Sequence, residues 1–341
     1  MPPLFFYLSG EHDNLPAAEC IAILESEKIT YRIIKKLYQI LLIDADAEAS
    51  KVVTERAAYT YMLCEYICEG NLEKFELDKD ALLKLGLKSD KTFSVRVYKT
   101  KNSLVKINKS DLERGIGEKV KDYAGNRLKV KLVHPTYEFI GLVSDKTLIF
   151  GLLRSRTDRK AIDKRQGKYR PCFHPGVMHP RIARAMVNLS RIRSGDLFLE
   201  PFIGTAGIAI EAGLQGCRIL GIDVDKKMIY ASIKNLRHYG VEGNLVRGDS
   251  RNIPITRADG GATDPPYGLS TSSHGVELKN LIIEVLKSLE NIIKPGGYFT
   301  VSFPSRIDAQ ELLKFLRLKI VDTFELYVHR SLTRRIVVLR R

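Results

Sequence analysis

The sequence predicts an α/β chain whose C-terminal half is a doubly wound, Rossmann-like parallel sheet, preceded by smaller α+β units. Three observations carry this. From Cys172 onward, short apolar runs alternate with helical patterns, the signature of strands joined by crossover helices. Before that point, apolar runs and helical stretches follow one another without a regular βα rhythm. Between the two lies Arg154–Arg170, with eight basic residues and little apolar pattern, which reads as a linker. At 341 residues the chain has room for two or three domains with their own cores.

In residues 1–50, apolar runs Leu4–Leu8 and Leu37–Ile43 flank a helical pattern from Leu15 to about Glu27. A second helix is expected from about Val52 to Glu65, and the Cys64-x-x-x-Cys68 spacing would by itself set both thiols on one helix face. Core packing suits that pair better than metal ligation. Thr92–Tyr98 alternates as a half-buried strand. The Ser110-Asp111-Leu112-Glu113 spacing is a capping box opening a helix to about Tyr123. Lys129–Val133, Phe139–Val143 and Lys146–Gly151 follow as strands.

In the C-terminal half, a helix at Arg181–Leu189 precedes a strand at Asp196–Glu200. The turn Pro201-Phe202-Ile203-Gly204-Thr205-Ala206-Gly207 leads from it into a helix at Ile208–Leu214. A glycine turn between strand and helix lets backbone approach a ligand closely, with the helix N-terminus facing it. Strand Cys217–Ile222 ends in Asp223, about 20 residues later, where an acid would hydrogen-bond ribose hydroxyls. Strand Asn244–Val246 leads to Asp249 and Ser250, where an acid could meet an adenine amino group. The single glycine spacing disfavours a dinucleotide and is compatible with S-adenosylmethionine. The candidate cofactor residues are Glu200, Phe202, Gly204, Thr205, Ala206, Gly207, Asp223, Val224, Asp249 and Ser250.

The fourth acid belongs to Thr263-Asp264-Pro265-Pro266-Tyr267-Gly268. The Asp264 carboxylate and the Pro265 carbonyl could accept the two hydrogens of an exocyclic amine on a flat base. Pro266 stiffens the turn, and Tyr267 offers a ring to stack on a base flipped out of a helix. Asp264 would also be the proton sink. The preceding Asp259-Gly260-Gly261 replaces the apolar run of a buried central strand, so that strand must lean on its neighbours. The Leu269–Ser273 stretch is a candidate mobile flap or an ordinary polar loop. His174 and His179 read as turn residues. Arg330, Arg334 and Arg335, in a stretch that resembles the terminal β-hairpin of such folds, could touch RNA or lie in solvent.

Charge adds a partner. The net charge of +15 is concentrated in residues 91–170, which hold 21 Lys and Arg against 8 Asp and Glu. Such a surplus suits a polyanion. No run approaches the roughly 18 apolar residues that span a bilayer, and the N-terminus lacks the features of a signal peptide. Five cysteines without ligand spacing point to a reducing, cytoplasmic setting and to no metal site.

Two resemblances sharpen these readings. The Phe93–Val97 strand, the Ser110–Gly117 helix opening and the strands closing at Gly151 resemble the THUMP domain of RNA-modifying enzymes. Arg170–Gly176, Glu200–Gly207, Asp223, Asn235–Gly240 and Thr263–Gly268 resemble the archaeal and eukaryotic tRNA guanine-N2 methyltransferases acting at position 10. The family commonly has Asp where this chain has Glu200, and Gly where it has Ala206. The resemblance implies a ferredoxin-like α+β unit at 1–50, a THUMP RNA-binding domain at 51–152, a basic linker at 153–170 and a class I methyltransferase domain at 171–341. It implies methyl transfer from S-adenosylmethionine to guanosine N2 in tRNA, once or twice, with Asp264, Pro265, Pro266 and Tyr267 catalytic. Arg96, Lys99, Lys101, Arg114, Arg154 and Arg156 are the corresponding RNA contacts. A small zinc-binding activator subunit is an implied partner. Enzymes of another tRNA position or of ribosomal RNA resemble the same layout, but typically carry Asn at the Asp264 position. DNA amino-methyltransferases share the motif and would not need the RNA-binding module. A noncatalytic RNA-binding subunit is the alternative outside enzymes.

Overall fold

A computed structural model describes residues 3–46, 48–267, 278–314 and 316–341. The chain divides into two compact units. The first comprises residues through Ala17, Ile29–Glu55 and Thr60–Thr157; the second comprises Ala18–Lys28, Arg56–Tyr59 and Asp158–Arg341.

The elements of the N-terminal part are β1 (Leu4–Leu8), α1 (Leu15–Ser26), β2 (Tyr31–Leu37), β3 (Ile40–Ala45), α2 (Glu48–Arg56), β4 (Thr60–Asn71), α3 (Lys79–Lys84), β5 (Thr92–Lys99), α4 (Lys109–Tyr123), β6 (Lys129–Val130), β7 (Tyr137–Ser144) and β8 (Thr147–Arg156). Their strands form one eight-stranded sheet in the order β2-β3-β1-β4-β8-β7-β5-β6. It is antiparallel except where β5 pairs with β6 and β7. The sheet runs through the expected boundary at residues 50/51. Phe93, Phe139 and Phe150 form its aromatic core, with Phe139 and Phe150 stacked at 5.7 Å.

Four expectations change here. The expected helix at 52–65 ends at Arg56, and Thr60 onward is the long strand β4, with Cys64 and Cys68 buried on it. β4 pairs along both edges, with β1 and β8, and its short apolar run Tyr61–Cys64 is indistinguishable by period from a buried helix. The Leu37–Ile43 run is split by a turn at Gln39, which takes φ 61°. The Lys129–Val133 strand shrinks to two residues. Helix α4 is capped by Asn108, whose side chain accepts from Asp111 N, and not by Ser110. Glu113 instead accepts from Val97 N at 2.8 Å, tying the helix to β5.

The second unit contains α5 (Arg159–Asp163), α6 (Pro180–Leu189), β9 (Leu197–Glu200), α7 (Gly207–Gly213), β10 (Arg218–Asp223), α8 (Lys226–His238), β11 (Gly243–Arg247), β12 (Gly260–Thr263), α9 (Leu278–Ile292), β13 (Tyr298–Pro304), α10 (Ala309–Leu313), β14 (Lys319–His329) and β15 (Leu332–Arg340). The strands form a seven-stranded sheet in the order β11-β10-β9-β12-β13-β15-β14. The first five are parallel, while β15 is antiparallel to β13 and to β14. The order reverses direction at β9, so the crevice beyond the carboxyl ends of β9 and β12 is where such a sheet binds ligands. No described helix is long and apolar enough to cross a membrane.

Buried polar contacts bring the N-terminal segments into this unit. Glu19 is fully buried and accepts from the Ala58 and Tyr59 amides at 2.9 Å and from Asn188 Nδ2 at 2.8 Å. The stretch expected as a linker is ordered too, as the end of β8, α5 and a short 3-10 turn at Gly167–Tyr169. From it, Arg165 donates twice to Glu211 on α7 at 2.7 Å, and Arg184 of α6 lies 3.4 Å from the same carboxylate. A buried carboxylate with two guanidinium partners fixes the helix that follows the glycine turn.

The two glycines of β12 have a steric reason. A Cβ on Gly261 would overlap the Leu199 carbonyl and come within 2.7 Å of the Phe299 ring. One on Gly260 would sit 2.8 Å from both Ile192 and the Tyr298 carbonyl. The strand leans on its neighbours, as the sequence required, because those neighbours occupy the space its side chains would fill. Asp259, just before it, accepts from Leu197 N at 2.8 Å and from Lys294 Nζ at 2.9 Å. Gly261→Ala is expected to cost about 3 kcal/mol of stability. Urea unfolding checks this, and a loss below about 1 kcal/mol would show that β9 and β13 part easily.

Candidate active site

The turn between β9 and α7 is held from three sides. Asp223, at the end of β10, accepts from Gly204 N at 3.0 Å and from Asp225 N at 2.9 Å. Ser232 of α8 donates to the Gly204 carbonyl at 2.6 Å. Asn235, fully buried on α8, donates to the Thr205 carbonyl at 3.0 Å, and exchanges hydrogen bonds with both the amide and the carbonyl of Cys172 at 2.9 Å. Gly204 takes φ +50° with open space where a Cβ would stand. That opening is the close-approach position a glycine turn provides.

Glu200 does not face an open pocket. It is buried, and its Oε2 accepts from Ala209 N at 2.7 Å. It thereby caps α7, which Ala206 opens without a side-chain cap. Burial pushes its carboxyl well above the usual carboxylate range, against the pull of Arg170. Burial likewise raises Asp223, opposed by the backbone amides it accepts from.

The other expected cofactor residues sort by exposure. Phe202 is half-buried against the core, Thr205 is buried, and Val224 presents an apolar side chain 55% exposed beside Asp223. Ser250 is buried and donates to the Pro201 carbonyl. Asp249 is half-exposed and paired with Arg251 at 2.5 Å, whose donated hydrogen bonds hold it below the usual carboxylate range. Its adenine-directed role therefore competes with that pair.

A residue that the sequence reading left unassigned completes this pocket. Arg170 is 5% exposed, and its Nε donates to the Arg165 carbonyl at 2.9 Å. Its Nη1 and Nη2 are buried near the Tyr239 phenol, without a well-formed hydrogen bond to any described residue. Nη1 lies against the start of α7, where a Cβ on Gly207 would come within 3.3 Å. Buried guanidinium donors with loosely met hydrogen bonds at a glycine turn suit a carboxylate-bearing ligand. Together with the open Gly204, the exposed Val224 and Asp223, the donor set fits S-adenosylmethionine.

Asp264 stands at the end of β12 with its carboxylate in a closed network. Tyr267 and Ser302 hydroxyls both donate to Oδ1, and the two hydroxyls are 2.9 Å apart. Arg334 of β15 donates from Nη2 to Oδ2 at 3.1 Å and from Nε to the Tyr267 hydroxyl at 3.0 Å. Arg334 is 5% exposed, so it lies neither in solvent nor free for RNA as the sequence suggested. Burial would lower its pKa, but the Asp264 carboxylate outweighs this and raises it. Tyr267 also departs from expectation. Its hydroxyl is committed to Asp264, its ring packs partly against the core, and the Arg334 guanidinium carbon lies 5.7 Å from the ring centroid. Burial and Asp264 push its phenol well above the ordinary value, so it remains a donor. Pro265 is buried and Pro266 exposed. Gly268 and the Leu269–Ser273 stretch lie outside the described residues.

The turn histidines divide. His179 caps α6, accepting from Arg181 N at 3.3 Å, and His174 is exposed. The expected RNA contacts all belong to the first unit and are largely engaged locally. Arg154 pairs with Glu65, and Arg156 with Glu138 at 2.5 Å. Arg96 donates to the Leu132 carbonyl at 2.7 Å, Lys99 to Val105 at 3.2 Å and Lys101 to Gly10 at 3.3 Å. Arg114 is exposed on α4. No group of acidic, cysteine or histidine side chains with metal-holding geometry occurs among the described residues.

Comparison with known proteins gives the chain relatives along nearly all of its length. Residues 167–336 match the family described as RMKL-like, methyltransferase domain. The tRNA (guanine(10)-N2)-dimethyltransferase of Methanothermobacter thermautotrophicus is 35% identical over 339 residues, covering 98% of each chain. The enzyme of the same name from Methanocaldococcus jannaschii is 29% identical, covering 98% of this chain and 99% of its own. Among solved structures, TrmN from Thermus thermophilus aligns over 99% of both chains with a TM-score of 0.53 at 19% identity. SMU.472, solved in complex with SAH, aligns over 99% of this chain and 98% of its own with a TM-score of 0.51 at 13% identity. These two likenesses are of fold.

The departure at Ala206 leaves a physical trace. Ala206 is held at φ 64°, ψ 33°, the left-handed region where a Cβ is unfavourable and glycine is not. Ala206→Gly is expected to raise stability by up to about 1 kcal/mol, since relief of that conformation outweighs the loss of one buried methyl. A thermal melt of the variant checks it, and a lowered Tm would show that the methyl packs better than the backbone is strained.

Proposed function

We propose how the site works from one premise, that the chain belongs to the tRNA (guanine(10)-N2)-dimethyltransferase family. It is an S-adenosylmethionine-dependent tRNA methyltransferase that acts on the exocyclic N2 amine of guanosine at position 10. When bound, S-adenosylmethionine would supply an electrophilic methyl carbon for the amine nitrogen, its sulfur keeping the electron pair of the broken bond, and Asp264 would take the proton that the nitrogen gives up. The family's name implies a second round on the same nitrogen.

The observation that carries the residue-level reading is the hydrogen-bond state of Asp264. A carboxylate offers about four acceptor positions. Tyr267 and Ser302 take both at Oδ1, and Arg334 takes one at Oδ2. Among the described residues, one position at Oδ2 is left, and it is there that an amine hydrogen would be accepted. The guanine amine is a poor nucleophile because its lone pair is delocalised into the ring. Holding its hydrogens on Asp264 and the Pro265 carbonyl would turn that lone pair toward the methyl, a positioning effect worth several kcal/mol in favourable cases. Tyr267 acts here as a donor to Asp264 in place of a stacking platform, and the exposed Pro266 is the apolar surface next to it.

On the cofactor side, Arg170 would hold the methionine carboxylate, Gly204 would allow close approach, and Val224 would cover the adenine face with Asp223 on the ribose. Glu200 acts through α7, and Ser250 through the Pro201 turn. The first unit is assigned to tRNA, with residues 51–152 as a THUMP-like RNA-binding domain, 1–50 as its ferredoxin-like companion and the catalytic domain from 171. The basic surplus at 91–157, 15 Lys and Arg against 6 Asp and Glu, supports this, since phosphate contacts supply most non-specific affinity. Pairing with a small zinc-binding activator subunit belongs to the same reading, and adding that subunit to the assay tests it.

Asp264→Asn is expected to lower kcat by about 100-fold or more while leaving S-adenosylmethionine affinity near normal. The assay is methyl transfer to transcript tRNA, with mass-spectrometric mapping of the modified nucleotide. Substantial activity in the variant would remove Asp264 from the mechanism. Arg170→Met is expected to weaken S-adenosylhomocysteine by about tenfold or more, the size of one charge-assisted hydrogen bond. It should leave 5′-methylthioadenosine, which lacks the carboxylate, unchanged in calorimetry. Equal losses for both ligands would move Arg170 away from the carboxylate.

A further inference from the structure

The strand that closes the sheet reaches the chemistry. Because β15 runs antiparallel to β13, its beginning lies at the carboxyl end of the parallel strands, the edge at which Asp264 stands. Arg334 pairs in register with Pro304, and Ile336 with Ser302. Side chains alternate along a strand, so Arg334, Ile336 and Ser302 share one face of the sheet. That face delivers Ser302 and Arg334 to the two oxygens of one carboxylate.

We propose that Arg334 is a positioning residue for methyl transfer: its guanidinium bridges Asp264 Oδ2 and the Tyr267 hydroxyl, and so sets which lone pair of Asp264 meets the amine. This rests on the reading of Asp264 as amine acceptor. The bridge has two parts. Nη2 holds Oδ2 along one of its two acceptor directions, leaving the other for the substrate. Nε donates to the Tyr267 oxygen, so the phenol's own hydrogen is directed to Oδ1. With Oδ1 filled by Tyr267 and Ser302, the carboxylate cannot rotate to offer the wrong oxygen without breaking several hydrogen bonds. A planar guanidinium with donors in a fixed fork spans both acceptors, whereas a lysine ammonium is a single point charge. Arginine is therefore required for geometry as well as for charge. Arg334 touches neither the amine nor the methyl group in this scheme; it acts through Asp264.

The test compares Arg334→Ala and Arg334→Lys with Asp264→Asn in the full-length protein. The readouts are kcat, KM for tRNA, S-adenosylmethionine affinity by calorimetry, and Tm. Arg334→Ala is expected to lower kcat by about 100-fold while KM and cofactor affinity stay within about threefold. Millimolar ethylguanidinium should restore about tenfold of the loss, and ethylammonium should not. Arg334→Lys, which retains charge without the fork, should stay well below the wild type. Activity of Arg334→Ala within about threefold of wild type overturns the proposal. So does a loss that ethylguanidinium leaves untouched, because the residue would then serve only the fold. An active Asp264→Asn would instead sink the reading of Asp264 itself. An inactive Asp264→Asn beside an active Arg334→Ala would sink the positioning role alone.

Discussion

A carboxylate at the end of a buried central strand is costly unless its oxygens are satisfied, and the catalytic edge of this protein is organised around that requirement. Asp264 follows β12, the strand between β9 and β13. Its side chain takes hydrogen bonds from Tyr267, Ser302 and Arg334, which come from its own loop, from β13 and from β15. Each partner is contributed by a different element, so the network assembles only when the sheet has formed. The cost of burying Arg334 is met in the same way, by Asp264 and the Tyr267 oxygen.

The cofactor edge follows a related logic with a different outcome. Glu200 is spent on the first turn of α7, Ser250 on the Pro201 carbonyl and Asp223 in part on the Gly204 amide. Acids and hydroxyls that line a motif are thus occupied in shaping the turn. Open valence remains in the glycine gap, in the exposed Val224 and in the buried Arg170 donors. Rigid supports around a small number of unfilled positions are what preorganisation requires. Buried ion pairs under α7, with Glu211 between Arg165 and Arg184, extend the same rigidity to the helix behind the turn.

Much of the second unit was legible in advance because its strands and helices have distinct periods and strong punctuation. The order β9, turn, α7, β10, with an acid at each strand end, follows from spacing alone. The glycine pair before Asp264 announced a strand packed against its neighbours, and the clash that a Cβ would make there is the reason. The first unit was harder. β4 and its flanking strands form one sheet, and the short apolar run at the start of β4 carries no alternation to separate it from a helix. The segment 153–170 looked like a tether because its charges were counted without their partners, Glu65, Glu138 and Glu211.

By itself the sequence determined the residue types of the site, their order along the chain and the strand ends on which they sit, since local periodicity and turn chemistry encode these. It could not determine which of them face a ligand. That choice belongs to tertiary structure, because a side chain's free valence depends on neighbours distant in sequence: Ala209 for Glu200, Pro201 for Ser250, and Arg334, 70 positions on, for Asp264. An arginine in an apolar C-terminal strand looks like a surface charge until the antiparallel pairing of β15 brings it to the catalytic edge.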